Sequence, residues 1–384
     1  MTDKPKKNLL ILGVYPESEG YPNIKYRLED LTKLEDFSVS ILHCTIWQNN
    51  ISNQKILYLL LTSWRFIAAH LIIVIKYLKH PFKELVYIPY PAVFISVLLS
   101  FLPKCYRPKR LVLDAFISLY DTICIDRKYF PRQHLFAKLL FYLEQRAYRN
   151  CAAVIVDTEQ SALYLSQLFS LPLKLFVAVP LSTNEHYLPA PAYSTPSPLK
   201  TFQILFIGTF IPLHGIEVIL SAVKLLSGQT NLVFKIIGNG QMAPLVTDFI
   251  NTHPLNLIWI KEWQNQSQLF AAIQEADICL GIFGSTAKTQ RVCPLKIYHY
   301  AGCGRAIITA ETNWMRANTL NQIAPPFVLV PQGSAEALVK AINDLVSHPE
   351  QILRYANAAQ RFYRQSLSNQ QALKQLLPVF LNAN

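Results

Sequence analysis

Short apolar runs alternate with longer stretches of helical spacing along almost the whole chain. In the first half the runs are Leu9–Val14, Ser38–His43, Leu85–Pro89, Leu111–Ala115, Ala153–Asp157 and Leu175–Val179. Between them apolar residues recur at three- and four-residue steps, as Leu135, Leu139, Leu140 and Leu143 do within His134–Arg149. Strand, helix, strand, helix is the pattern of a parallel, doubly wound sheet. It restarts in the second half with Phe202–Gly208, Leu232–Gly238, Leu257–Ile260, Asp277–Phe283, Ala306–Thr309 and Phe327–Val330. From about Ser334 only helical patterns remain: Ala335–Leu345, Ile352–Tyr363 and Ala372–Phe380.

Between the halves, Leu188–Lys200 carries four prolines and no acid, the composition of a linker. The pattern therefore predicts an α/β protein of two Rossmann-like domains. These are an N-terminal one over residues 1–187, a proline-rich linker over 188–200, a C-terminal one over 201–365 and a helical tail over 366–384. A length of 384 residues suits two such cores. Ile56–Leu78 has the length of a membrane span, but Arg65, His70 and Lys76 interrupt it, which predicts a buried or membrane-facing helix.

Charge adds a partner class. Thirty-six Lys and Arg against 24 Asp and Glu leave +12, which favours phosphorylated substrates, phospholipid headgroups or nucleic acid. Residues 79–149 hold twelve cations against five acids, a net +7, and follow the apolar, aromatic stretch around Tyr58, Trp64 and Phe66. That combination predicts a peripheral contact with an anionic membrane surface. No recognition helix, RNA-binding aromatic signature or zinc-finger spacing is present, so nucleic acid is not an expected partner. Seven scattered cysteines, none in CxxC spacing, predict no disulfide framework, no metal site and a reducing, cytoplasmic setting. The cationic Met1–Lys7 runs into Asn8–Val14 without a cleavage pattern and is not read as a signal peptide.

The chemistry concentrates between Ile278 and Ala310, where no carboxylate occurs and Lys288, Arg291, Lys296, Arg305 and His299 do. A strand, the small polar turn Gly284, Ser285 and Thr286, and a new helix opening at Pro294 place Lys296 in a first helical turn. A lysine there opposes the helix dipole unless an anion is shared. With a phosphate present, N–H groups, dipole and cations form one cradle, and the spacing puts His299 on the face of Lys296. Two glycine turns after strands point to the same edge: Gly208, Thr209 through His214 and Gly215, and Gly238, Asn239 and Gly240.

These residues resemble the retaining family-4 glycosyltransferases of the two-Rossmann GT-B architecture, over nearly the whole C-terminal domain. Phe206–Glu217 is similar to the family's glycine loop, Ile236–Gly240 to its V-G-x-G turn, and Pro294–Ile308 to its donor-binding helix. The resemblance implies two domains facing a cleft, a nucleoside-diphosphate sugar held by the C-terminal domain, and a glycan or lipid-linked saccharide acceptor held by the N-terminal one. It further implies no cofactor and no obligatory metal. Two departures stand out: the family's paired glutamates fall on Arg291 and His299, and its Arg and Lys phosphate pair on Thr209 and His214. Lys288, Arg291 and Lys296 are expected to take over the phosphate task, with His299 in place of a ribose-binding glutamate.

In the N-terminal half, Asp114 ends a strand and opens a polar cluster with Asp121, which makes it the expected carboxylate near the reacting carbon. Gly13, Tyr21, Asn23, Arg27 and Tyr90 follow strand ends or open the next helix and, with Asp121, are the expected acceptor-side residues. Two alternatives stay open: a non-catalytic partner subunit that binds nucleotide or saccharide, and a GT-B epimerase acting on a nucleotide sugar.

Overall fold

The computed structural model describes residues 6–16, 21–44, 55–189, 201–253, 257–320, 322 and 324–381, with side chains of the 55–79 helix described from Trp64 onward. It divides into two compact units, Met1–Ser182 with Ala372–Asn384, and Thr183–Gln371.

The first unit is a six-stranded, all-parallel sheet. Its strands are β1 Lys7–Gly13, β2 Phe37–His43, β3 Leu85–Ile88, β4 Arg110–Asp114, β5 Ala153–Val156 and β6 Phe176–Ala178, ordered β2-β1-β3-β4-β5-β6. Parallel neighbours need crossovers, and the intervening helices supply them: α1 Pro22–Thr32, α2 Lys55–Lys79, α3 Val93–Ser100, α4 Leu135–Arg149 and α5 Glu159–Phe169. Both faces of such a sheet must be covered, so its strands are apolar on both sides. Leu10, Leu12, Val86, Ile88, Leu113 and Val154 pack under α2, α3, α4 and α5. Leu9, Ile11, Tyr87, Val112 and Ile155 pack under α1 and the chain's last helix.

The second unit repeats the plan with β7 Phe202–Ile207, β8 Leu232–Ile237, β9 Leu257–Ile260, β10 Ile278–Leu280, β11 Ala306–Ala310 and β12 Val328–Val330, ordered β12-β11-β10-β7-β8-β9. Its helices are α6 Ile216–Leu225, α7 Ala243–Thr252, α8 Gln266–Glu275, α9 Leu295–Gly302, α10 Asn313–Thr319, α11 Ala335–Ser347 and α12 Pro349–Phe362. Local signals set several ends. A capping box of Asn265 and Gln268 opens α8, and the left-handed Gly215, at φ 65°, opens α6.

All twelve expected strands form. The unit boundaries fall elsewhere than the proline pattern suggested. Thr183–Tyr187 belongs with the second unit, because Asn369 takes the Thr183 N–H while Glu185 accepts from Tyr363 Oη and from the Asn369 N–H. The last helix, α13 Asn369–Leu381, is not a separate tail. From Ala372 it belongs to the first unit, where Ala372, Leu376, Val379 and Phe380 join the core. Most of the expected linker, residues 190–200, lies outside the described residues. Among the described residues, no helix is long and apolar enough to cross a membrane.

Candidate functional site

In the second sheet the strand order reverses between β7 and β10, which are neighbours in space but not in sequence. The carboxyl ends of strands at such a reversal open a crevice in which doubly wound sheets hold ligands. The loops leaving this edge are packed backbone on backbone through glycines. A Cβ on Gly238 would stand 1.9 Å from the Gly208 carbonyl oxygen, and one on Gly240 would stand 2.7 Å from the Phe210 nitrogen. One on Gly284 would meet the Pro212 carbonyl oxygen at 2.1 Å. No side chain fits there, so three loops close into one rim.

Lys296 reaches this rim from the second residue of α9, just behind an extended Pro294. The helix thus opens at Leu295, one residue later than the sequence suggests, because Pro294 keeps ψ at 147°. The Lys296 ammonium lies 3.9 Å from the centre of the Phe206 ring, and a Cβ on Gly208 would stand 2.7 Å from Nζ and 2.8 Å from the His214 ring. Side chains of Lys296 and His214 therefore converge on the bare backbone of Gly208. Lys296 is 8% exposed, and its Nζ has no hydrogen-bond partner among the described residues. Burial drives its pKa well below the usual lysine value. The ring face of Phe206 offsets part of the cost of this buried charge, by about 0.5–2 kcal/mol, but supplies no hydrogen-bond acceptor.

One turn along α9, His299 is buried against Phe270, with ring centres 5.0 Å apart, and its Nε2 is likewise without a partner. Burial pushes its pKa down to about 4, so the ring is neutral near pH 7. A neutral imidazole can donate or accept at a sugar hydroxyl but cannot pair with phosphate charge. Tyr300 anchors the helix, its hydroxyl accepting from the Ile207 N–H at 2.9 Å. Lys288 and Arg291 sit on the turn between β10 and α9, where the Arg291 N–H donates to the Lys288 carbonyl at 3.1 Å. Arg291 is buried, Lys288 and Thr286 are half-buried, and Ser285 is exposed. Asn239 and Thr209 lie on the first two glycine loops, and the Asn239 carbonyl accepts from the Phe210 N–H at 3.0 Å.

The first unit gives a different picture of Asp114. Its Oδ2 accepts from Arg27 Nη1 at 2.8 Å and from Tyr87 Oη at 2.7 Å, while Oδ1 accepts from the Phe116 N–H at 3.2 Å. Only 2% exposed, it is the anchor that ties α1 to the sheet, which corrects the expectation of a carboxylate facing the reacting carbon. Arg27 is spent in the same way, also donating to the Pro180 carbonyl, and Asn23 Oδ1 accepts from the Ser182 N–H at 2.6 Å. These bonds tie both residues into the scaffold, while Asn23 Nδ2 and Arg27 Nε have no hydrogen-bond partner among the described residues. Asp121 is buried, with its N–H bonded to Ser118 Oγ at 3.1 Å. Gly13 ends β1, where a Cβ would stand 2.6 Å from the Tyr15 ring.

Tyr21 and Tyr90 do come together, with ring centres 6.1 Å apart, and Tyr90 lies 5.0 Å from Phe116. This aromatic shelf sits beyond the carboxyl ends of β3 and β4, next to the point where the first sheet reverses order between β1 and β3.

Residues 201–348 match the family model of the glycosyl transferases group 1. Every expected donor-side residue, from Gly208 to His299, lies inside that stretch, whereas Asp114 and the acceptor-side residues lie outside it. No curated protein matches the chain in sequence. In solved structures the whole chain has close counterparts in fold. Anabaena Alr3699/HepE in complex with UDP superposes with a TM-score of 0.66 at 13% identity, over 97% of this chain and 98% of that one. Sucrose-phosphate synthase from Thermosynechococcus elongatus gives 0.69 at 13% identity, over 98% of both. The N-terminal domain of Candida albicans trehalose-6-phosphate phosphatase gives 0.69 at 9% identity, over 98% and 99%. The fold is the GT-B fold.

The sequence reading gave no role of their own to Phe206 and Tyr300, which seat Lys296 and its helix. It also missed Tyr87, the second partner of Asp114, and Phe116 beneath Tyr90. A strand-borne tyrosine gives no sign of its partner until neighbouring strands are in register, and Tyr87 pairs with Val112 one strand away.

Proposed function

We propose that the protein is a glycosyltransferase that moves a sugar from a nucleoside-diphosphate sugar to a glycan or lipid-linked saccharide, with retention at the anomeric carbon and without an obligatory metal. The observation that carries this reading is Lys296: a buried side-chain amine with no hydrogen-bond partner among the described residues, at a helix start, on the order-reversing edge of a parallel sheet. A diphosphate satisfies all of these features at once. It brings the missing acceptor, meets the N–H groups of α9, and gains charge as the sugar departs, which a preplaced cation favours. The complexes of HepE with UDP and with UDP-glucose point to the same ligand class in a protein of this fold.

In this reading Lys296, Lys288 and Arg291 hold the leaving diphosphate. Neutral His299 hydrogen-bonds a sugar or ribose hydroxyl, and the glycine loops of Gly208 and Gly238 line the donor. The shelf of Tyr21, Tyr90 and Phe116 receives the acceptor saccharide, since aromatic faces pack on apolar sugar faces. Asp114 is a positioning residue that fixes α1 beneath this shelf. The enzyme works in the cytoplasm, where nucleotide sugars are made.

The test is a panel of nucleoside-diphosphate sugars scored first for thermal stabilisation and then for transfer to saccharide acceptors. Stabilisation by one base series, with product formed on an acceptor, is the expected outcome. Stabilisation without turnover would instead assign a non-catalytic binding subunit, a reading that the inward commitment of Asp114 favours. Turnover of the donor with no acceptor product would assign an epimerase.

A further inference from the structure

Residues 281–294, between β10 and α9, form neither helix nor strand, and Lys288 and Arg291 sit on this stretch. Without a repeating ladder, each backbone polar group there needs a partner of its own, and the turn keeps one shape only where cross-links fix it. Some of its bonds are local. The Thr289 N–H donates to the Thr286 carbonyl at 3.0 Å, and the hydroxyls of Thr286 and Thr289 lie 3.1 Å apart. What ties the turn to the rest of the unit is a relay of two side-chain amides. Gln290 Oε1 accepts from the Asn313 N–H at 3.0 Å, Gln290 Nε2 donates to Gln332 Oε1, and Gln332 Nε2 donates to the Gly284 carbonyl at 3.0 Å. The relay thus joins one end of the turn, Gly284, to the other, Gln290, with Lys288 between them and Arg291 next in sequence.

The direction of the relay is fixed at both ends. Asn313 offers an N–H and Gly284 a carbonyl, so each side chain between them must accept on one side and donate on the other. An amide does both, whereas a carboxylate only accepts and an ammonium only donates. Gln290 also serves α10, since its side chain and its carbonyl take the N–H groups of Asn313 and Trp314, and Thr312 Oγ1 takes that of Met315. Capping a helix explains Gln290 but not Gln332, whose second bond returns to the turn. Both glutamines are half-buried, so replacing either leaves the apolar core intact.

We infer that Gln290 and Gln332 are positioning residues of the donor site: their amide relay holds the 284–291 turn in one shape, so that Lys288 and Arg291 stand in place before a diphosphate arrives. The inference rests on the donor reading above. Cations fixed in advance spare the ligand the cost of ordering the turn and do not have to reorient as charge develops on the leaving group. The glutamines act through the turn and not by touching the ligand, so their removal weakens the hold on phosphate and leaves the hold on base and ribose as it was.

The experiment compares the affinity of the full chain for uridine and guanosine diphosphates with its affinity for the two nucleosides, by titration calorimetry and NMR. The proteins are the parent, Gln332→Leu, Gln290→Glu, and Gln290→Glu combined with Gln332→Lys. Gln332→Leu removes two bonds of the relay, so diphosphate should bind about 5- to 30-fold more weakly while nucleoside affinity stays unchanged. Gln290→Glu sets two oxygens face to face and should act in the same direction. Adding Gln332→Lys supplies a donor to both the new carboxylate and the Gly284 carbonyl, and should recover most of the loss. Diphosphate and nucleoside affinities that fall together, with a lower melting temperature, would show a merely structural role and overturn the inference. So would single variants that bind diphosphate like the parent, or a combined variant no better than Gln290→Glu alone. A parent that binds neither diphosphate would bring down the donor reading, and this inference with it, whereas the other failures leave that reading standing.

Discussion

Replacing Lys296 by methionine should move stability and ligand affinity in opposite directions. Methionine is one atom shorter but still packs over Phe206, and it removes a cation buried with no hydrogen-bond acceptor among the described residues. An uncompensated buried ion costs several kcal/mol and the aromatic ring returns about 0.5–2, so the nucleotide-free variant should be more stable by about 1–3 kcal/mol near pH 7. The pH dependence fixes the sign. Because the folded-state pKa of Lys296 lies well below its unfolded value, the unfolded chain binds more protons between the two. The parent protein therefore gains stability as pH rises through that window, and the advantage of Lys296→Met fades toward pH 10.5. Loss of a charge-assisted hydrogen bond of about 1.5–3 kcal/mol should weaken nucleoside-diphosphate binding by about 10- to 100-fold. Urea unfolding at several pH values and titration calorimetry with uridine and guanosine diphosphates measure the two effects. A variant less stable than its parent, with unchanged affinity for both nucleotides, would show that Lys296 is a satisfied structural cation and refute the argument.

Further outcomes follow from the glycine loops, from His299 and from Asp114. Gly208→Ala brings a methyl against the side-chain ends of Lys296 and His214 rather than against backbone, so it should keep the fold and weaken nucleotide binding. Gly238→Ala, at φ 140° and facing a fixed carbonyl, should instead lower the melting temperature sharply. His299, with its pKa pushed down to about 4, should show no imidazole titration by NMR between pH 5 and 8. Its burial should cost stability progressively, by about 3 kcal/mol in all, as pH falls from about 6.5 to 4, a loss absent in His299→Gln. Asp114→Ala leaves Arg27 buried without its counter-ion and should destabilise the first unit by about 3–5 kcal/mol, read by urea unfolding. Removing both partners, with Arg27→Met and Asp114→Leu, should recover much of that loss, whereas a carboxylate needed for chemistry would leave the double variant stable and inactive.

The strands were legible because a sheet covered on both faces forces continuous apolar runs, and the turns after them because glycine is required where backbones touch. Lys296 was legible for an electrostatic reason: a cation in the first turn of a helix, in a stretch free of acids, is unfavourable by itself and so advertises an absent anion. What a carboxylate faces is different in kind. Asp114 at a strand end reads as a site residue, yet its partners come from α1 and β3, 87 and 27 positions away in sequence. Only the packed fold brings them within hydrogen-bond reach. The return of α13 to the first unit was hidden for the same reason, since an amphipathic helix records that it needs a core but not which one. Periodicity and local charge are written along the chain; ion pairing and the choice of packing partner arise between distant segments, and the tertiary structure alone decided them.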